Sequence, residues 1–137
     1  MRTAIDTNIL SGLWSDGPVA SRMARQLADA HARGAVVICG PVYAELLAHP
    51  SASQDFIDDF ISETGVFIDW DLGEDIWRQA GKSFAAYARR RRSSQGGTSK
   101  RMLVDFVVAS HALLRADRLM TLDTGWYEPD FPRLRIV

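Results

Sequence analysis

The chain has 137 residues, 47% of them hydrophobic, which is enough to fill one core and too little for two independent domains. Its apolar runs are too short or too broken by charge to cross a bilayer. Its first ten residues carry Asp6 and lack the uninterrupted apolar run of a secretion signal, so the cytoplasm is the expected location. The net charge of −1 conceals a polarised sequence: residues 1–77 hold 4 basic and 12 acidic side chains, residues 78–101 hold 8 basic and none acidic, and the remainder hold 4 and 5. A nucleic-acid partner therefore stays open locally although the total charge argues against one.

A short β-prone run over 3–5 ends at Asp6-Thr7-Asn8, three polar side chains that break the strand and cap a helix. After the turn Asp16-Gly17-Pro18, apolar residues recur at helical spacing from Val19 to Ala30, and Gly34 stops them. A strand follows over 35–39. Its lone Cys39 has no partner for a disulfide or a zinc site and reads as core filler. Pro41 opens a helix over 41–48 that Pro50 closes, and a further helix covers 53–64. Gly65 precedes a third strand, 66–70. An acidic start at Glu74 then leads a long helix to about Arg91, with Ile76, Trp77, Ala80, Phe84, Tyr87 and Ala88 as its apolar stripe. Residues 93–99 have the composition of a mobile loop. Helix resumes over 102–116, strands are expected over 118–122 and 134–137, and a short helical turn fits 124–127. Strands alternating this regularly with helices predict an α/β fold, a central parallel sheet of four to five strands with helices on both faces. Ligands bind beyond the carboxyl ends of such strands.

Four acids stand out against this pattern. Asp6 and Asp123 each follow a strand and project from that carboxyl edge. Glu45 is the sole charge in its short helix, and Asp105 sits in the first turn of a helix among Val104, Phe106, Val107 and Val108, where the dipole favours its ionised form. Two like charges at about 4 Å repel by roughly 4 kcal/mol at an effective dielectric near 20. A dication removes that cost. Carboxylates without histidine or cysteine company suit Mg²⁺ or Mn²⁺ rather than zinc, and such an ion supplies what phosphodiester hydrolysis needs. Each acid also has a plainer reading: Asp6 as a helix cap, Glu45 and Asp105 as partners of buried arginines, Asp123 as a turn residue.

These residues resemble the PIN-domain ribonucleases, in particular the VapC toxins of bacterial toxin-antitoxin pairs. The resemblance covers nearly the whole chain and rests on Ile5-Asp6-Thr7-Asn8-Ile9-Leu10, on Glu45 in its apolar helix, on Asp105-Phe106-Val107-Val108-Ala109 and on Leu119-Met120-Thr121-Leu122-Asp123. It implies a PIN-like α/β/α sandwich in a single domain, and metal-binding roles for Asp6, Glu45, Asp105 and Asp123. Thr7, Asn8 and Thr121 would orient those carboxylates or hydrogen-bond to metal-bound water. It further implies a Mg²⁺-dependent endoribonuclease, a homodimer, held inactive by a cognate antitoxin. Metal-activated water would cut RNA to a 5′-phosphate and a 3′-hydroxyl.

The segment Arg89, Arg90, Arg91, Arg92, Lys100 and Arg101 departs from many relatives. It lies just before Asp105, so these side chains are expected at the rim of the acidic site as contacts for RNA phosphates. As a charge run at a helix end they equally fit a solvated face. His31, His49 and His111 show no ligand spacing, and the four tryptophans fit core or dimer packing better than base stacking. Two other readings compete with the ribonuclease: a catalytically silent module that binds RNA or protein, and a phosphatase with Asp6 as nucleophile. The second is weakened by Asn8, where a second acid is usual.

Overall fold

The computed structural model describes residues 1–94 and 100–137. Most of the expected loop therefore lies outside the described residues, and Ser93 is the last residue of a helix. Elements run in the order β1 (Arg2–Ile5), α1 (Thr7–Leu13), α2 (Pro18–Arg33), β2 (Ala35–Cys39), α3 (Gly40–Leu46), α4 (Gln54–Thr64), β3 (Phe67–Asp69), α5 (Glu74–Ser93), α6 (Leu103–Arg115) and β4 (Arg118–Met120). The strands form one parallel sheet in the order β3-β2-β1-β4. Among the described residues no helix is long and apolar enough to cross a membrane.

Local chemistry explains most boundaries. Asp6 caps α1 by accepting from the Thr7 N–H, Pro18 and Pro41 stand in first turns, and Ser53 caps α4 by accepting from the Phe56 N–H. Gly65 ends α4 in the left-handed region at φ 73°. A Cβ on Gly34 would collide with the Met1 carbonyl, so α2 ends where only glycine fits. The strand expected over 134–137 does not form. Instead Leu119 N–H donates to Arg135 O at 2.8 Å and Val137 N–H to Leu119 O at 2.9 Å, leaving Ile136 in an isolated bridge beside β4. Pro132, which has no N–H to give to a ladder, stands just before this pairing. The helical turn expected at 124–127 is a hydrogen-bonded turn instead, with Trp126 N–H on Asp123 O at 3.0 Å.

Strands β1 and β2 are buried nearly throughout, as a sheet covered on both faces requires. Helix α1 packs on α2 and α3, while α5 lies along α6, which contacts β1 and β4. The chain steps from β1 outward to β2 and β3, then returns to the other side of β1 to lay down β4. That reversal opens a crevice beyond the carboxyl ends of β1 and β4. At the margins, β3 is three residues long with Phe67 exposed, and the tail covers the outer side of β4.

A partly buried hydrogen bond fastens α6 to the sheet. His111 Nε2 lies 2.7 Å from Asp69 Oδ2, and Arg2 Nη2 donates to the same oxygen at 2.8 Å. Burial holds the imidazole below its ordinary 6.5 despite the carboxylate beside it. Burial raises Asp69 too, but His111 and Arg2 outweigh it and keep the acid below its ordinary 3.8. A depressed histidine favours folding above the unfolded value, and that contribution is lost as pH falls through 6.5 toward the folded value. The melting temperature should therefore drop between about pH 7.5 and about pH 5.5. His111→Gln, which keeps a donor for Asp69, should melt with a visibly shallower pH dependence; an unchanged slope would show that His111 is not its source.

Candidate active site

The crevice beyond β1 and β4 is built around Asp6. Its backbone N–H continues the β1 ladder to Met120 O at 3.0 Å, which leaves the side chain at the strand's end, 7% exposed. Three donors meet the carboxylate. Thr7 N–H reaches Oδ1 at 2.8 Å, while the hydroxyls of Thr121 and Tyr127 reach Oδ2 at 2.9 and 2.7 Å. Burial pushes this acid above its ordinary value, the donors pull it back, and the Asp105 charge adds to the rise.

Thr7 also extends the cluster, donating its hydroxyl to Glu45 Oε1 at 2.7 Å. Glu45 is raised by partial burial and by the charges of Asp6 and Asp105, against the Thr7 hydrogen bond. Asp105 is in the first turn of α6, where its Oδ2 accepts from Met102 N–H at 3.2 Å. Asp123 follows β4 and is held from α1: Asn8 Nδ2 donates to its Oδ2 at 3.0 Å and to Thr121 Oγ1 at 3.2 Å, while Asn8 Oδ1 accepts from Leu122 N–H at 3.1 Å. Thr121 Oγ1 in turn accepts from Asp123 N–H at 3.1 Å. Asp6, Glu45 and Asp105 thus feel one another's charge, and Asp123 joins them through Asn8 and Thr121.

The donor set is carboxylate oxygen throughout. Cys39 is buried in the core with its thiol pushed up to about 11 by burial, and His111 is engaged by Asp69. That chemistry fits a hard dication. Among the described residues no three acidic, histidine or cysteine side chains close into a ready-made cage. The pattern suits Mg²⁺, which keeps much of its water and uses one or two carboxylates directly, better than an ion needing full protein ligation.

The basic segment divides. Arg89 and Arg92 are exposed near the end of α5, Arg91 is partly covered, and Lys100 is exposed. Arg91, Arg92, Lys100 and Arg101 line a cleft of about 490 Å³ with Phe84, Tyr87 and Ala88, and none of the four acids borders it. Arg101 departs from the expected rim position. It is buried, donating from Nη1 to Asp130 Oδ2 at 3.0 Å and to Trp126 O at 2.7 Å, with its guanidinium against the rings of Phe106, Trp126 and Tyr127. Arg90 pairs with the same Asp130. A side chain so enclosed is not free to hold phosphate, and the desolvated carboxylate of Asp130 explains why it is drawn inside. Tyr127 was not among the expected site residues. Its phenol ring reads as core, and only its burial beside Asp6 reveals that the hydroxyl has work there.

A model of the PIN domain matches residues 3–132. No curated protein matches the chain. Among solved structures, the chain is similar to VapBC2 from Rickettsia felis bound to a DNA fragment from their promoter (TM-score 0.67, 20% identity, covering 100% of this chain and 98% of that one). It is also similar to VapBC-1 from nontypeable Haemophilus influenzae (TM-score 0.66, 22% identity, covering 100% of this chain and 97% of that one).

Removing the buried guanidinium leaves Asp130 with Arg90 alone, so Arg101→Met should destabilise the fold by about 3 kcal/mol, at the low end for breaking a buried pair. Urea unfolding measures this; a loss under about 1 kcal/mol would mean that Arg101 is not part of the packed interior.

Proposed function

The chain belongs to the PIN-domain family, and on that premise we propose that it is a Mg²⁺- or Mn²⁺-dependent endoribonuclease of the VapC type, the toxin of a toxin-antitoxin pair. PIN domains of this type are nucleases in general. The observation that carries the reading is the Thr7 bridge, which ties Asp6 to Glu45 at the sheet's reversal point while the Asp105 charge bears on both. Such crowding is tolerable when a cation shares the crevice. Asp6, Glu45, Asp105 and Asp123 would hold it, Asp6 and Asp105 foremost.

When bound, the cation supplies Lewis-acid chemistry, acidifying the attacking water and neutralising charge that gathers on phosphate. The protein's own part is placement. Thr7 ties Asp6 to Glu45, Asn8 and Thr121 hold Asp123 against the same edge, and the first turn of α6 brings the Asp105 charge to bear on Asp6 and Glu45. Arg89, Arg92 and Lys100 supply exposed positive charge for the RNA backbone, and the cleft that Arg92 and Lys100 line gives it a path. The similar VapBC structures support a cognate antitoxin as partner, and a homodimer is part of the same proposal.

Purified protein freed of any antitoxin should cleave RNA when given Mg²⁺ or Mn²⁺, leaving 5′-phosphate ends. Asp6→Asn and Asp105→Asn should each lower the rate more than about 100-fold, beyond the 10–100-fold typical of residues that only support a ligand. Cleavage that survives EDTA would sink the cation-dependent reading, and RNA affinity without cleavage would favour a binding module. Replacing Arg89, Arg92 and Lys100 together by alanine should flatten the slope of log affinity against log salt by about 2, at roughly 0.7 per single-strand contact. An unchanged slope would remove these side chains from the RNA path.

A further inference from the structure

The Asp6 carboxylate offers four lone-pair sites, two on each oxygen. Oδ2 accepts the Tyr127 hydroxyl at 2.7 Å and the Thr121 hydroxyl at 2.9 Å, so both of its sites are used. Oδ1 accepts a single bond, from Thr7 N–H at 2.8 Å. We propose that Tyr127 is a positioning residue for the divalent cation: by closing Oδ2 together with Thr121, it leaves Oδ1 as the one atom of Asp6 that takes a new partner and fixes the plane in which it does so. This rests on the reading of the acidic crevice as a cation site.

The tyrosine is built for constancy. It is 2% exposed, and the Arg101 guanidinium lies 4.9 Å from its ring centroid. Arg101 is anchored in turn by Asp130 and the Trp126 carbonyl, so the ring packs against a fixed neighbour. Its hydroxyl meets a carboxylate oxygen, which accepts, so the phenol is the donor of the pair. A phenylalanine would pack the same space. What the hydroxyl adds is the bond to Asp6.

A second buried tyrosine stands close by for comparison, packed against Phe84 and Phe106. Tyr87 is almost as buried, and its hydroxyl accepts from the Arg101 backbone N–H at 2.6 Å. The two differ in which group the hydroxyl meets. Tyr127→Phe and Tyr87→Phe therefore separate loss of an Asp6 partner from loss of a buried hydroxyl in general.

The test is Mn²⁺ binding to the metal-free protein, read by electron paramagnetic resonance of the free ion. Tyr127→Phe should weaken binding ten- to a hundredfold, as loss of a ligand's supporting hydrogen bond does, while Tyr87→Phe leaves it unchanged. Thr121→Val, which opens the other site on the same oxygen, should weaken it similarly, and Thr121→Ser should restore it. With RNA, Tyr127→Phe should lower kcat and leave KM as it was. Wild-type affinity in Tyr127→Phe, or equal weakening in both tyrosine variants, overturns the proposal. Should Tyr127→Phe fail to fold, wild-type affinity in Thr121→Val overturns it alone. A wild-type protein that binds no Mn²⁺ overturns the cation site itself, and this proposal with it; Mn²⁺ binding that is indifferent to Tyr127 overturns only the latter.

Discussion

A carboxylate at the end of a buried strand must be met by donors, because leaving it bare costs several kcal/mol. Asp6 is that carboxylate, and its donors come from three places: the first residue of α1, the residue after β4, and the turn beyond it. Satisfying one side chain therefore fixes how the carboxyl ends of β1 and β4 meet. The fold supplies the opening there and the hydrogen bonds give it a shape. Asn8 repeats the logic two residues on, reaching across to Leu122 and Asp123. The crevice is thus held from within by groups whose own hydrogen-bonding needs leave few alternatives.

A second buried carboxylate organises the opposite flank. Asp130 takes Arg90 from α5 and Arg101 from the stretch before α6, and the rings of Phe106, Trp126 and Tyr127 close around the latter. The basic segment is consequently not one surface. Part of it neutralises an internal acid and steadies the wall of the crevice, and part remains in water. Counting the cations of residues 78–101 as a single patch overstates the charge available outside.

The parallel sheet and the order of its elements were legible because Gly, Pro and Asp mark nearly every joint, and because strands at the centre read as unbroken apolar runs. The acids were conspicuous for the same reason, as charges where the pattern calls for apolar residues. What the sequence hid was pairwise and distant. Tyr127 lies 121 residues from Asp6, and nothing local distinguishes its ring from core. Arg101 sits among cations in sequence, so its enclosure by Asp130 and three aromatic rings was invisible without the fold. The tail at 134–137 has strand composition, yet it finds only one edge and a few hydrogen bonds, so it bridges without forming a strand.

The two margins of the sheet are guarded unequally. At one, the chain's own tail lies along β4 and consumes backbone groups that would otherwise invite a neighbour. At the other, β3 offers three residues, with Phe67 and Trp70 uncovered beside them. Strand-to-strand self-association needs a longer template than three residues, so brevity alone discourages filaments from growing there. Lengthening β3 would remove that safeguard, because each added pair of residues offers a neighbouring strand more unpaired backbone.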